Sequence, residues 1–354
     1  MGEFRKSKLM VFPRHVLVGH GVLSEAGTLC SNVELHGTAL LVAGPRTRKI
    51  AGDAVEQSLS ASGVKVVHEA AASASLSEVE AVEKRARKEA ATFVVGVGGG
   101  SVIDVAKLGA HRARLPFVSV PTSASHDGIT SPRASIKDAG TPSSIEASMP
   151  AAILADTGVI AQAPYRMLAS GCADAISNET AVLDWKLAHR LRGEEYSSFA
   201  AALAETAAEI ILENAEVIKP GLEEAAWVVV KGLIVSGVSM SVAGSSRPAS
   251  GAEHMISHTL DRLAPGQALH GEQCGVASIV TMYLHGGDWE RIRDSLSSIG
   301  APTTSKALGI PKETMVEALV RAHEIRRDRY TILGDNGLTR EAASRLLHVT
   351  GVSP

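Results

Sequence analysis

Thr92-Phe93-Val94-Val95-Gly96-Val97-Gly98-Gly99-Gly100-Ser101-Val102-Ile103-Asp104 decides how the first half of the chain folds. Residues 92–97 carry no charge and read as a strand buried on both faces. Residues 101–110 then read as a helix, with glycines in between. Glycine lets the backbone approach a pyrophosphate closely, and a helix N-terminus offers free N–H groups and the positive end of a dipole. The Ser101 hydroxyl can cap the helix or add a donor. A plain strand-to-helix turn that happens to use glycine meets the same pattern, so the motif alone leaves both readings open. It is not the usual dinucleotide fingerprint, because Ser101 stands at the sixth position of G-x-G-x-x-G, and it is not a Walker loop, because GK[ST] is missing.

Working outward, short apolar runs alternate with helical stretches. Thr38–Ala43, 64–67, 92–97, 116–120 and 151–155 read as strands. Residues 50–62, 77–90 (with Ser77 as cap) and 101–110 read as helices. Continuous apolar strands separated by helices imply an α/β domain whose parallel sheet is covered on both faces. Residues 130–148, polar and interrupted by Pro132 and Pro142, read as a hairpin-like excursion. From Tyr165 onward the composition is helical, with long Ala/Glu/Leu stretches at 198–218 and 222–243. Two domains are therefore expected, an α/β dinucleotide-binding domain over 1–163 and an all-α metal- and substrate-binding domain over 164–354.

Composition narrows the function. The chain has 354 residues, 45% apolar and only 3% aromatic, with a net charge of -3 and no basic tract. Sequence-independent nucleic-acid binding wants a basic field, so a nucleic-acid partner is not expected. The charged start at residues 1–8 leads into no signal-like apolar run, and no stretch offers the roughly 20 apolar residues of a membrane span. A cytoplasmic protein with no membrane span is the expectation. Cys30, Cys172 and Cys274 lie far apart and read as small buried hydrophobes.

Two clusters carry chemistry. After the 116–120 strand comes Pro121-Thr122-Ser123-Ala124-Ser125-His126-Asp127-Gly128, at the end of the sheet where ligands bind. Its hydroxyls suit a nicotinamide ribose or phosphate, and a Ser-rich turn explains them equally. Further on, His254 and His258 stand one helical turn apart and His270 follows shortly after, flanked by carboxylates. That set suits a borderline metal such as zinc; incidental histidines on a half-exposed helix are the plain alternative. Asp174 lies among small apolar residues, where a buried acid needs a cation or strong donors, or where it caps a helix start.

Taken in order, GGGSVID, TSASHDG, GCADAISN, SRPASGAEHMISH and LHGEQCG resemble the superfamily of iron-containing alcohol dehydrogenases, glycerol dehydrogenases and dehydroquinate synthases. Within it, SHDGITSPRASI and SSRPASGAEHMISHTLD most resemble the archaeal sn-glycerol-1-phosphate dehydrogenase family, over nearly the whole chain. The resemblance implies a dehydroquinate synthase-like fold with cofactor and metal in the cleft between domains. It implies Asp174, His254 and His270 as ligands of one zinc per subunit, with Asp127 and His258 on the substrate side. It implies NAD(H) or NADP(H) held by Gly100, Ser101, Val102, Ile103, Asp104, Thr122, Ser123, Ala124, Ser125 and Ser131.

The implied reaction reduces dihydroxyacetone phosphate to sn-glycerol 1-phosphate for archaeal membrane phospholipid synthesis, with zinc as Lewis acid, in a homo-oligomer. A glycerol dehydrogenase acting on unphosphorylated glycerol is the first rival, since it would use the same ligands. A nucleotide-binding protein without catalysis is the second. Coenzyme choice is read from Gly44-Pro45-Arg46-Thr47-Arg48-Lys49, which follows an early strand and offers no acid for a ribose 2′-hydroxyl. Thr47, Arg46 and Arg48 suit a 2′-phosphate, so use of NADPH as well as NADH is expected; the same cations also read as a solvated helix start.

Overall fold

The structure is a computed structural model that describes residues 8–138 and 141–353; the charged start at 1–7 and the centre of the 130–148 excursion lie outside the described residues. Six parallel strands form one sheet in the order β1-β8-β5-β4-β2-β3. They are β1 His15–Gly19, β2 Thr38–Ala43, β3 Lys65–Ala70, β4 Phe93–Gly98, β5 Phe117–Pro121 and β8 Ala152–Asp156. The excursion is the antiparallel pair β6 Arg133–Asp138 and β7 Thr141–Glu146. Five strands match the sequence reading. The sixth, β1, pairs with β8 in register His15↔Ala152, and its half-exposed HVLVG lacks the continuous buried run that marks the others.

The side-chain alternation of a strand explains the two-sided cover. Ala39, Leu41 and Ala43 of β2 join one apolar cluster with Val95 and Val97. Leu40 and Val42 join the opposite one with Val94 and Phe117. Helices fill both faces: Ala26–Asn32 and Asp53–Ala61 on one, Leu76–Lys88 and Gly100–Ala113 on the other. The cap of Leu76–Lys88 is Ser75, whose hydroxyl accepts from Glu78 N, and not Ser77. Ser75 has the extended backbone that a capping residue needs, whereas Ser77 already lies inside the helix.

From Tyr165 onward every long element among the described residues is helical, as expected. The helix Glu223–Ala243 is long and apolar enough for a membrane span, but 67% of its most apolar window is buried within the protein. No other helix among the described residues reaches that length and hydropathy. The large helical cluster also takes in Ala124, Ile129, Ala155 and Ile160 from the first half, so the two parts share apolar contacts. One close approach fixes the site. A Cβ on Gly171 would lie 2.1 Å from the Ala124 carbonyl oxygen, so only glycine lets the helix Tyr165–Ile176 seat against the loop after β5.

Candidate active site

Three helices converge on the carboxyl end of the sheet. Asp174 comes from Tyr165–Ile176, His254 and His258 from Ala252–Leu263, and His270 opens His270–Leu284. Asp174 sits near the end of its helix and is 4% exposed, so the reading as a cap at a helix start does not hold. Its Oδ1 lies 3.9 Å from His254 Nε2 and 3.8 Å from His270 Nε2. These gaps are too long for hydrogen bonds. They are close to the separation of roughly 3.4 Å between ligand atoms about 2.0–2.1 Å from one tetrahedral ion. The outer nitrogens are held: His254 Nδ1 meets Glu253 Oε1 at 3.0 Å, and His270 Nδ1 meets Ser257 Oγ at 3.1 Å. Fixing the far nitrogen is how proteins aim an imidazole at a metal.

The electrostatics agree with that geometry at His270 but oppose it at His254, where burial is outweighed by Cys274 and Glu253, which hold the imidazole well above the ordinary histidine value, so that a metal must displace its proton. Burial raises the Asp174 carboxyl above its ordinary range, although the neighbouring His254 and the Asp127 N–H pull it back part of the way. Burial first, then the neighbouring His254, His258 and His126, push His270 well below the ordinary histidine value, which leaves it neutral and able to donate a lone pair. Asp174, His254 and His270 therefore fit a borderline divalent ion.

Cys274 joins them, its ligand atom within 4.8 Å of each of the others. Its sequence reads as an inert small hydrophobe, and it is indeed buried, but it stands one turn after His270 and faces the cluster. Burial pushes its thiol up to about 11, so it keeps its proton beside the three better donors. Spacing alone hints at it, since His270 and Cys274 share a helical face.

Asp127 and His258 border the same point. The Asp127 backbone N–H donates to Asp174 Oδ2 at 2.9 Å, and its own Oδ2 accepts from Ser236 Oγ at 2.8 Å. Ser236 escapes the sequence reading because it lies far off in an apolar helix. Burial, then the Asp174 charge, raise the Asp127 carboxyl to about 7. His258 Nδ1 is buried without a hydrogen-bond partner, and Asp261 Oδ2 is 3.8 Å away. Burial lowers its basicity, and His254 and Arg326 add to that.

Two adjoining cavities meet at His126, His258 and His270. The larger, about 480 Å³, runs from the glycine loop to the helix Ala252–Leu263. Of the residues expected at a cofactor, Gly100, Ser101, Val102, Asp104, Ser123 and Ser125 line it. Ile103, Thr122 and Ala124 are buried behind it, and Thr122 N donates to Gly98 O at 2.9 Å. Ser131 lines the smaller cavity, of about 80 Å³. The Asp104 carboxylate is occupied by Lys107 Nζ at 3.1 Å and Ser135 N at 3.0 Å. In the loop after β2, Thr47 Oγ1 donates to Val97 O at 2.9 Å. Arg48 is tied to Asp53 at 2.5 Å and also to Glu56 and His68. Arg46 is exposed and has no ion-pair partner among the described residues.

Comparison with known proteins agrees with the geometry. Residues 17–164 match the family model described as iron-containing alcohol dehydrogenase. The chain is 54% identical to a glycerol-1-phosphate dehydrogenase [NAD(P)+] of Methanosarcina mazei, covering 98% of this chain and 97% of that one. It is 55% identical to the same-named protein of Methanothermobacter thermautotrophicus, covering 96% and 97%. Among solved structures, a glycerol dehydrogenase of Schizosaccharomyces pombe superposes with a TM-score of 0.77 at 23% identity, covering 98% of this chain and 92% of that one. NADH-dependent butanol dehydrogenase A of Thermotoga maritima gives 0.75 at 19% identity, covering 98% of each. These two likenesses speak for the fold alone.

Proposed function

Since the chain belongs to the glycerol-1-phosphate dehydrogenase family, we infer that it reduces dihydroxyacetone phosphate to sn-glycerol 1-phosphate with NAD(P)H. The observation that carries this reading is the meeting of Asp174, His254 and His270 beside a cavity floored by Gly100 and Ser101. We take the metal to be zinc, one per subunit, held by those three residues. When bound, the metal supplies Lewis-acid polarisation of a ketone and the nicotinamide supplies hydride.

The chain's own residues supply the rest. The loop at Gly98–Ser101 offers backbone donors to a pyrophosphate, and Ser123 and Ser125 offer hydroxyls to the nicotinamide half. Asp127 Oδ2 is anchored by Ser236, which leaves Oδ1 for a substrate hydroxyl. His258 Nδ1, buried and unpartnered, is placed to pass a proton to the reduced oxygen through that hydroxyl or water. Burial keeps His258 neutral, so it can accept a proton from solvent and hand it on. The two-domain division at residues 163/164 follows the change from α/β to helical structure.

A role in archaeal phospholipid synthesis and a cytoplasmic setting suit a soluble triose phosphate and a soluble coenzyme. A homo-oligomer is supported by exposed Leu9, Met10, Val11, Phe12 and Val16, grouped at and before the edge strand β1. The deciding experiment offers dihydroxyacetone phosphate and dihydroxyacetone with NADH and NADPH and assigns the product enantiomer. Equal use of the two ketones, or sn-glycerol 3-phosphate as product, overturns the reading.

A further inference from the structure

The smaller cavity has a cationic wall that neither the metal nor the nicotinamide explains. Arg133 and Arg326 line it together with Ser144, Ser246 and Ser250, whereas the glycine loop lines only the larger cavity, and His258 borders both. Arg326 makes no hydrogen bond or ion pair among the described residues, although it is partly buried. Arg133 is oriented by Ser144, its Nε donating to Oγ at 3.2 Å and an outer nitrogen to the carbonyl oxygen at 2.7 Å. Behind them Arg329 donates to Ser250 O at 2.5 Å and Ser246 Oγ at 3.0 Å, which fixes the two serine positions that line the wall. Arg247, 2% exposed, is paired with Glu194 and still leaves Nη1 buried without a partner.

Four guanidinium groups thus lie near one another, Arg133 and Arg326 lining the cavity and Arg247 and Arg329 behind them, and Glu194 is the one carboxylate bound directly to any of them among the described residues. The other acids near them are Glu146 beside Arg133 and Asp328 beside Arg326, both exposed. The acids on the cavity itself are already engaged: Asp104 by Lys107, Asp127 by Ser236. The repulsion registers in the guanidinium groups. Burial, then Arg326 and Arg247, pull Arg329 down to about 9. Burial, then Arg326, lower Arg133 as well. A buried surplus of positive charge is unfavourable unless an anion arrives to share it.

We propose that Arg326 and Arg133 bind the phosphate of the triose-phosphate substrate and set the enzyme's preference for a phosphorylated over an unphosphorylated ketone. This rests on the reaction inferred above. A planar guanidinium matches phosphate oxygens in pairs, with charge, whereas a bare hydroxymethyl gains only neutral hydrogen bonds such as those to the serine hydroxyls of this wall. A phosphate there puts the rest of a three-carbon ketone within reach of His258 and Asp127, which border the same cavity. Arg329 and Arg247 act through others, as positioning residues.

The test is the ratio of kcat/KM for dihydroxyacetone phosphate over dihydroxyacetone, measured in the parent, Arg326→Gln and Arg326→Lys, with inorganic phosphate as a competing probe. Arg326→Gln is expected to cut the ratio by about 10- to 100-fold, mainly through KM for the phosphorylated ketone, and to weaken inhibition by phosphate. Arg326→Lys should recover part of both, because it restores charge without the fork. A parent that does not prefer the phosphorylated ketone sinks the reaction itself. A parent that does, with the ratio and phosphate inhibition unmoved in Arg326→Gln, sinks only the phosphate assignment. If Arg326→Gln does not fold, Arg133→Gln carries the same comparison, and an unchanged ratio and unchanged phosphate inhibition there overturn it.

Discussion

The backbone N–H of Asp127 donates to Asp174 Oδ2 at 2.9 Å, which fastens the loop after β5 to the helix bearing the acidic ligand. With Oδ2 taken, Oδ1 is the oxygen that faces both imidazoles. A metal held there depends on Asp174 for charge and on His254 and His270 for lone pairs. Asp174→Ala and His270→Ala are expected to lower bound metal to a small fraction of one ion per chain, and to reduce activity by at least about 10²-fold, the scale of the loss of a key transition-state interaction. Metal analysis beside a cofactor-oxidation assay checks it. Full activity in metal-stripped protein would falsify the assignment.

Gly100 is in a position to disturb more than the cofactor. A Cβ there would lie 1.9 Å from His126 Nε2, so Gly100→Val must displace the His126 ring, whose Nδ1 accepts from Gly128 N at 2.9 Å. Its effect will mix cofactor binding with disorder in the loop that carries Asp127. Gly99 offers a cleaner probe. Its φ of −75° suits any residue, and the nearest atom to an added Cβ is Ser123 Oγ at 3.2 Å. Gly99→Val is expected to weaken NADH binding by about tenfold or more while bound metal is retained, since its side chain enters the cavity where backbone donors must meet phosphate. Unchanged NADH affinity, read by fluorescence titration, would remove the loop from the cofactor site.

Legibility in the sequence varies by residue. Strands β2, β4, β5 and β8 are legible because burial on both faces demands unbroken apolar runs, and runs that short between glycines and charged helices fit little but a central strand. β1 is not, because an edge strand buries little and its sequence resembles any short alternating stretch. For the metal site, His254 and His258 announce themselves by helical spacing, but Asp174 meets His254 and His270 only through tertiary packing, and no local pattern encodes that. Arg326 is invisible for a different reason. It stands in Arg326-Arg327-Asp328-Arg329, which reads as a solvated charge run, and only the fold turns two of these arginines inward.

Asp184 supports His254 from a distance. Fully buried, it accepts from Ala252 N at 2.7 Å, Ile332 N at 2.6 Å and His285 Nε2 at 3.1 Å. The first of these bonds closes the N-terminus of the helix that carries His254 and His258, where Gly251 provides no side chain of its own. Asp184→Ala leaves buried donors unsatisfied and is expected to cost about 3–5 kcal/mol. Urea unfolding should show an earlier midpoint, and metal affinity should fall with it. An unchanged midpoint would mean that water or a neighbouring group replaces the carboxylate, and that the helix does not depend on it.

Coenzyme choice turns on the loop after β2. The register Ala43↔Val97 sets this loop beside the end of β4, where the glycine turn begins. No acid stands there to select the free 2′-hydroxyl of NADH. By sequence Arg46 and Arg48 are equal candidates for a 2′-phosphate, and their contacts differ. Arg48 is committed to Asp53, Glu56 and His68, and the Thr47 hydroxyl is spent on Val97 O. Arg46 has no such tie among the described residues. The enzyme is therefore expected to use both coenzymes, and Arg46→Ala to raise KM for NADPH by about 5- to 20-fold, the worth of one charge-assisted contact from an exposed side chain, with KM for NADH nearly unchanged. Arg48→Ala should affect the two coenzymes alike, since its loss loosens the loop without removing a dedicated phosphate ligand. Steady-state kinetics with each coenzyme in the parent and the two variants decides it. A parent unable to use NADPH ends the prediction, and a selective NADPH defect in Arg48→Ala but not in Arg46→Ala would show that the Asp53 and Glu56 pairs open to let Arg48 reach the phosphate.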